Sequence, residues 1–179
     1  MSEMLFLVIV IVGIVLLLSI FVGGSSAYPY VKAGPLLSPA EANFMVALVQ
    51  ATAGRYNVAT KVRVADVINV KKGLNRKNAI IALNRIAAKH VDYVLTDPKT
   101  HQSLAAVELD DASHARADRR KRDEFLNNAF KAAGLPLIRI KPTRSYDRQA
   151  IASTIETAIN PPAPGQLAGR APPPRATAQ

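Results

Sequence analysis

The sequence predicts an α/β sandwich around a mixed sheet of about four strands, preceded by one transmembrane helix. Three observations carry this expectation. Apolar residues recur at helical spacing in some segments and alternate with period two in others, in the order helix, strand, helix, strand, strand, helix, strand, helix. Residues 4–22 form an apolar run without a charge. Between a Gly/Ser/Pro-rich stretch at 23–35 and a Pro/Ala-rich tail at 160–179, residues 36–159 hold all of the periodic pattern.

The apolar run comes first. Its nineteen residues, broken only by Gly13 and Ser19, span about 28 Å as a helix at roughly 1.5 Å per residue, close to the thickness of a bilayer's hydrocarbon core. A secretory signal peptide is the rival, with Ser25-Ser26-Ala27 as its cleavage site, yet such a leader wants a positive start and a shorter apolar core. Glu3 before the run and Lys32 after it favour a single-pass protein of the inner or plasma membrane with the following domain in the cytoplasm.

In the domain, Ser38-Pro39-Ala40-Glu41 opens a helix to about Ala51, with Ser38 as cap and Pro39 at the first helical position. The β-branched stretch Val58 to Val64 reads as a strand, and Arg76 to Ala88 as a helix with Ile80, Leu83 and Ala87 in step. Val91 to Thr96 and Leu104 to Asp110 read as two strands joined by the turn Asp97-Pro98-Lys99. A helix from Arg116 to Ala133 ends at Gly134, the short strand Leu137 to Ile140 follows, and a helix over 147–159 closes the domain.

Charge narrows the partners. The net charge is +10; Glu3 is the only charge in the first 24 residues, and the other 155 carry 23 basic and 12 acidic side chains. Such a domain attracts polyanions, nucleic acid or anionic headgroups. Absence of cysteine excludes disulfides and thiolate metal sites.

Chemistry concentrates in residues 91–114. Strand alternation sets Leu104, Ala106, Glu108 and Asp110 on one face and Ala105, Val107 and Leu109 on the other. In the preceding strand Val91, Tyr93 and Leu95 share a face, leaving Asp92 with Val94. If the strands pair, Asp92, Glu108 and Asp110 converge with no lysine among them, and three carboxylates together call for a hard cation unless they are simply solvated. On the next helix Arg119, Asp123, Leu126, Phe130 and Ala133 form one stripe. Its apolar half packs on the sheet and its polar start lies near the carboxylates. Arg119 there either meets a phosphate, steadied by Asp123, or makes an ordinary salt bridge worth a few tenths of a kcal/mol. Arg116, Arg119, Arg120, Lys121 and Arg122 form a basic cluster beside the site, suited to phosphodiester or merely solvated.

An aspartate on one strand, Glu-x-Asp on the next and a histidine downstream resemble the PD-(D/E)XK nuclease superfamily, in its branch related to very-short-patch repair endonucleases. The segments KHVDYVL, VELDDASH and RRKRDEFLNNAFKAAGLPLIRI look like a bacterial domain family of unknown function assigned to that superfamily. The resemblance covers about residues 36–158 and implies a restriction-endonuclease-like fold. It implies Mg²⁺ (or Mn²⁺) held by Asp92 and Glu108 with the carbonyl of Leu109, and nucleic acid, DNA first, as partner. Glu41 occupies the place of an acidic residue that completes the site in many relatives, although Ser38-x-x-Glu41 is also a capping box. Asp110 departs from the pattern, because a lysine usually stands there to position the attacking water. His114 is the substitute base, since a neutral imidazole accepts a proton near pH 7. The catalytic set is thus Glu41, Asp92, Glu108, Asp110 and His114, with Arg119, Arg120 and Arg122 on the substrate. A catalytically inactive relative that binds nucleic acid at the membrane, and a basic membrane-surface scaffold, are the alternatives. No protein partner is expected.

Overall fold

The computed structural model describes residues 2–21, 28–110 and 117–162, with side chains at 2–17, 28–110 and 121–162. The chain divides into two compact units, 1–35 and 36–179. The first contains α1 (Ser2–Phe21), whose described side chains are all exposed. Among the described residues no helix is long and apolar enough to cross a membrane, so the spanning helix expected over 4–22 finds no support in the fold.

The second unit is the expected α/β sandwich. Its elements are α2 (Pro39–Thr52), β1 (Asn57–Arg63), α3 (Val64–Val67), α4 (Arg76–Ala87), β2 (His90–Thr96), β3 (Ser103–Leu109), α5 (Ala117–Ala133), β4 (Leu137–Ile140) and α6 (Arg148–Ile159). The four strands form one mixed sheet in the order β1-β2-β3-β4, antiparallel except for the parallel pair β3/β4. Periodicity did not foretell α3, which at four residues is too short to show a helical repeat.

Both faces of the sheet are covered. On one, Phe44 and Leu48 of α2 and Ile151 and Ile155 of α6 pack on Tyr93, Leu95, Ala105 and Val107. On the other, Val64, Ile86 of α4 and Leu126 and Phe130 of α5 pack on Val91, Val94 and Ala106. Full burial of such side chains contributes roughly 1.5–3 kcal/mol each. The stripe on α5 thus buries its Leu126 and Phe130 as expected, while Ala133 is exposed.

Local chemistry fixes the connections. Ser38 and Glu41 form the capping box of α2, with Pro39 at its start. Asp97 Oδ1 accepts from the N–H groups of Lys99 and Thr100 and so closes the β2–β3 turn. Gly134, at φ +70°, ends α5 with the N–H of Leu135 returning to the Phe130 carbonyl.

One expectation about faces is corrected. Val91 packs with Val94, whereas Tyr93 packs with Leu95 on the opposite side. Strand β1 does the same: Val58 belongs to the α2/α6 core and Val62 to the α3/α4/α5 core. The reversal in both strands falls at Lys61 and Asp92. Thr60 pairs with Tyr93 and Val62 with Val91, while Lys61 itself adopts a left-handed φ of +52°. One left-handed residue interrupts the pleat, as in a bulge, and re-aims the side chains around it.

Candidate active site

That interruption builds one half of the site. Lys61 stands opposite Asp92 and lies between two carboxylates, its Nζ 2.5 Å from Glu41 Oε1 and 3.0 Å from Asp92 Oδ1. Glu41 arrives from the first turn of α2, held over β2 by the Tyr93 hydroxyl, which donates to the Glu41 carbonyl at 2.7 Å. Its other oxygen, Oε2, accepts from the Ser38 N–H at 2.7 Å. The same glutamate therefore caps its helix with one oxygen and meets Lys61 with the other. Burial alone would raise the Glu41 pKa, but the hydrogen bonds from Lys61 and Ser38 outweigh it and hold the carboxyl at about 2. Burial would likewise lower Lys61, and the two carboxylates instead push its pKa up. Lys61 is a fixed positive charge.

The other half rests on β3 and β4. Glu108 is nearly buried, and the parallel register sets Arg139 beside it. Arg139 Nη1 lies 3.2 Å from Glu108 Oε2 and 3.8 Å from Asp110 Oδ2, and Nη2 lies 3.3 Å from Asp123 Oδ1. Arg122 approaches Glu108 less closely, at 3.9 Å. Burial raises the Glu108 pKa, with Arg139 and Arg122 opposing it and Asp92 and Asp123 adding to it. The two halves join through Asp92, whose Oδ2 accepts from the Leu109 N–H at 3.0 Å.

A cleft of about 510 Å³ opens over this arrangement, lined by Glu41, Asp92, Glu108, Leu109, Asp110, Arg122, Asp123 and Arg139 among others. The fold thus brings Glu41, Asp92, Glu108, Asp110 and Arg122 together, as the sequence suggested. Asp123 turns to Arg139. The idea of carboxylates without a lysine is corrected, because Lys61 and Arg139 supply two cations that sequence reasoning missed. His114 and Arg116 lie outside the described residues, as do the side chains of Arg119 and Arg120.

Among the described residues no three His, Asp or Glu side chains are grouped to hold a metal ion. The available donors are all oxygens, which suits a hard divalent ion. Mg²⁺ keeps several waters and accepts one or two carboxylates from a protein. Asp92 of β2 and Glu108 of β3, with Leu109 next to Glu108, line one cleft and offer two such carboxylates, each now engaged by Lys61 or Arg139.

The model of DUF2726, described as a protein of unknown function, matches residues 33–159. The chain belongs to the DUF2726 family. The match takes in α2 through α6, and so every described residue of the cleft. Neither a curated protein nor a solved structure matches the chain.

Proposed function

We propose that this DUF2726 protein is a membrane-anchored, metal-dependent nuclease of the PD-(D/E)XK kind, hydrolysing phosphodiester bonds of nucleic acid, DNA first. The observation that carries the reading is Lys61, bridging Glu41 and Asp92, two carboxylates that line the cleft. The resemblance to that superfamily lacks its usual lysine at Asp110, and Lys61 returns a permanent cation to the same group of carboxylates from another strand. A left-handed conformation in a non-glycine residue costs about 1 kcal/mol or more. Such a cost at a cleft favours a working role for the side chain.

In this reading Asp92 and Glu108, with the Leu109 carbonyl, would hold Mg²⁺ or Mn²⁺, which would supply Lewis acidity at the scissile phosphate. Lys61 positions the attacking water and offsets charge on the phosphate. Arg122, half exposed at the rim, contacts the substrate, together with Arg119 and Arg120. His114 or a carboxylate takes the proton, and Glu41, its pKa held at about 2, is a weak base for that task.

The full-length chain in detergent, incubated with plasmid, single-stranded DNA and RNA plus Mg²⁺ or Mn²⁺, tests this directly. Cleavage is expected from the wild type and not from Asp92→Asn or Glu108→Gln. Metal-dependent cleavage undiminished in both variants would falsify the assignment. One observation favours a second reading, a domain that binds nucleic acid without cutting it: Arg139 holds Glu108, Asp110 and Asp123 with one guanidinium. Binding without cleavage in the same experiment selects it.

The anchor is the uncharged run 4–22, on its length and apolarity, with the domain on the cytoplasmic side of the inner or plasma membrane. A spanning segment stays with the membrane fraction in alkaline carbonate and leaves only in detergent. Release by carbonate rules the anchor out.

A further inference from the structure

A second recess lies beyond Asp92. It measures about 620 Å³ and is lined by Lys61, Ala88, Lys89, His90, Asp92 and Arg122. Asp92 and Arg122 also line the carboxylate cleft, so the two hollows adjoin at these residues. Their charge is opposite. The cleft gathers Glu41, Asp92, Glu108, Asp110 and Asp123, whereas Asp92 is the only acid of the recess and is already paired with Lys61.

Lys89 and His90 make no ion pair among the described residues. They close a stretch, residues 67–91, with six lysines and arginines and no acid. Lys89 is nevertheless held in place. Its carbonyl accepts from the Val64 N–H at 2.8 Å, which pins the turn between α4 and β2 to α3. Its Nζ stands 5.2 Å from the centre of the Phe125 ring, with the Arg85 guanidinium 4.3 Å from the same centre. A ring so covered does not stack on a base; it steadies two cations side by side.

We propose that this recess seats the backbone phosphate next to the scissile one, gripped by Lys89, His90 and Arg122. The inference rests on the nuclease reading in one respect: the scissile phosphate belongs in the carboxylate cleft. It adds the direction of the strand, which runs from the cleft across Asp92 toward the α4–β2 turn. The grip is on phosphate, so it is blind to base sequence.

The test measures binding in EDTA, where nothing is cut. The full chain in detergent is titrated with two fluorescent single-stranded oligonucleotides of unrelated sequence at several salt concentrations. Each lost phosphate contact lowers the slope of log affinity against log salt by about 0.7 for single strands. Lys89→Met keeps the aliphatic stem over Phe125 and is expected to flatten the slope by one such step, equally on both sequences. Combining it with His90→Ala weakens binding further, and Lys89→Arg restores the wild-type slope. Lys99→Ala, in the β2–β3 turn, removes the same charge elsewhere and is expected to leave the slope unchanged. Wild-type binding that Lys89→Met and the double variant leave intact, or that Lys99→Ala reduces equally, overturns the subsite and spares the nuclease reading. A wild type that binds neither oligonucleotide overturns both.

Discussion

The two halves of the cleft solve one problem in different ways. In each, one cation bridges the carboxylates: Lys61 between Glu41 and Asp92, and Arg139 among Glu108, Asp110 and Asp123, with Arg122 standing farther from Glu108. Arg139 reaches its partners from regular strand geometry, as the parallel neighbour of Glu108. Lys61 reaches its own only through a left-handed backbone that reverses the pleat of two strands. The electrostatic results differ too. Glu41 is held ionised down to about 2, whereas burial wins at Glu108 and raises its pKa. A guanidinium in an ordinary strand organises the site, while the strained lysine has the stronger claim to a part in the chemistry.

The largest expected effect tests that division. Lys61→Met should lower Mg²⁺-dependent cleavage by about 100-fold or more, the usual scale for loss of a placed electrostatic stabiliser. A loss from Arg139→Met as large as that, in protein shown to be folded, would erase the distinction between the halves.

Next in size is stability. Arg139→Met strips the charge from beside nearly buried Glu108, and unfolding by urea at pH 7 should show a loss of about 2 kcal/mol, the scale of a hydrogen bond to a charged group. Adding Glu108→Gln should recover most of it, because the carboxylates then left without Arg139, Asp110 and Asp123, are the more exposed ones. If the double variant is as unstable as the single one, packing of the arginine stem explains the loss instead.

Acid and base limbs sharpen the comparison further. A carboxyl whose pKa falls on folding contributes stability that is complete above its ordinary 4.5 and lost as pH drops through its folded value. For Glu41 that window runs from about 4.5 down to about 2. Glu108, with its pKa raised, acts in reverse: its ionisation opposes folding, and the opposition grows as pH rises above 4.5. Melting curves across pH should therefore have a shallower acid limb in Glu41→Gln, the remainder coming from Asp66 and Asp97, which are also lowered, and should lose their decline above 4.5 in Glu108→Gln. Identical profiles for the two variants would contradict the opposed shifts.

The smallest effect concerns the cap. Ser38→Ala removes one hydrogen bond from the start of α2 and should cost about 1 kcal/mol, with the pairing of Glu41 to Lys61 kept. Cleavage at moderate temperature should be little changed. A large loss of activity would mean that Glu41 is positioned by its cap rather than by the lysine.

Much of this arrangement was readable in advance. The strands and long helices of the domain were read from β-branched runs, helical spacing and caps, and the meeting of Asp92, Glu108 and Asp110 was expected from pairing of their strands, although strict alternation of faces fails in β1 and β2. Lys61 and Arg139 escaped because an isolated basic residue in a short strand carries no motif, and in β1 Lys61 is not even the only one, since Arg63 closes the strand. Lysine on β1, an edge strand, reads as protection against edge pairing, and only the fold shows it turned toward Glu41. Arg139 did leave a trace, as the one charge in Leu137-Ile138-Arg139-Ile140, three residues past the proline that follows α5. The pleat reversal left none, since both affected strands keep an unbroken register of partners around it.

That reversal limits how position 61 can change. Glycine would suit the local geometry better than any other residue, and asparagine nearly as well, yet neither carries a cation. Whatever relaxes the chain there also leaves Glu41 and Asp92 without their common partner, so ease of the backbone and pairing of the carboxylates are set against each other at one dihedral angle.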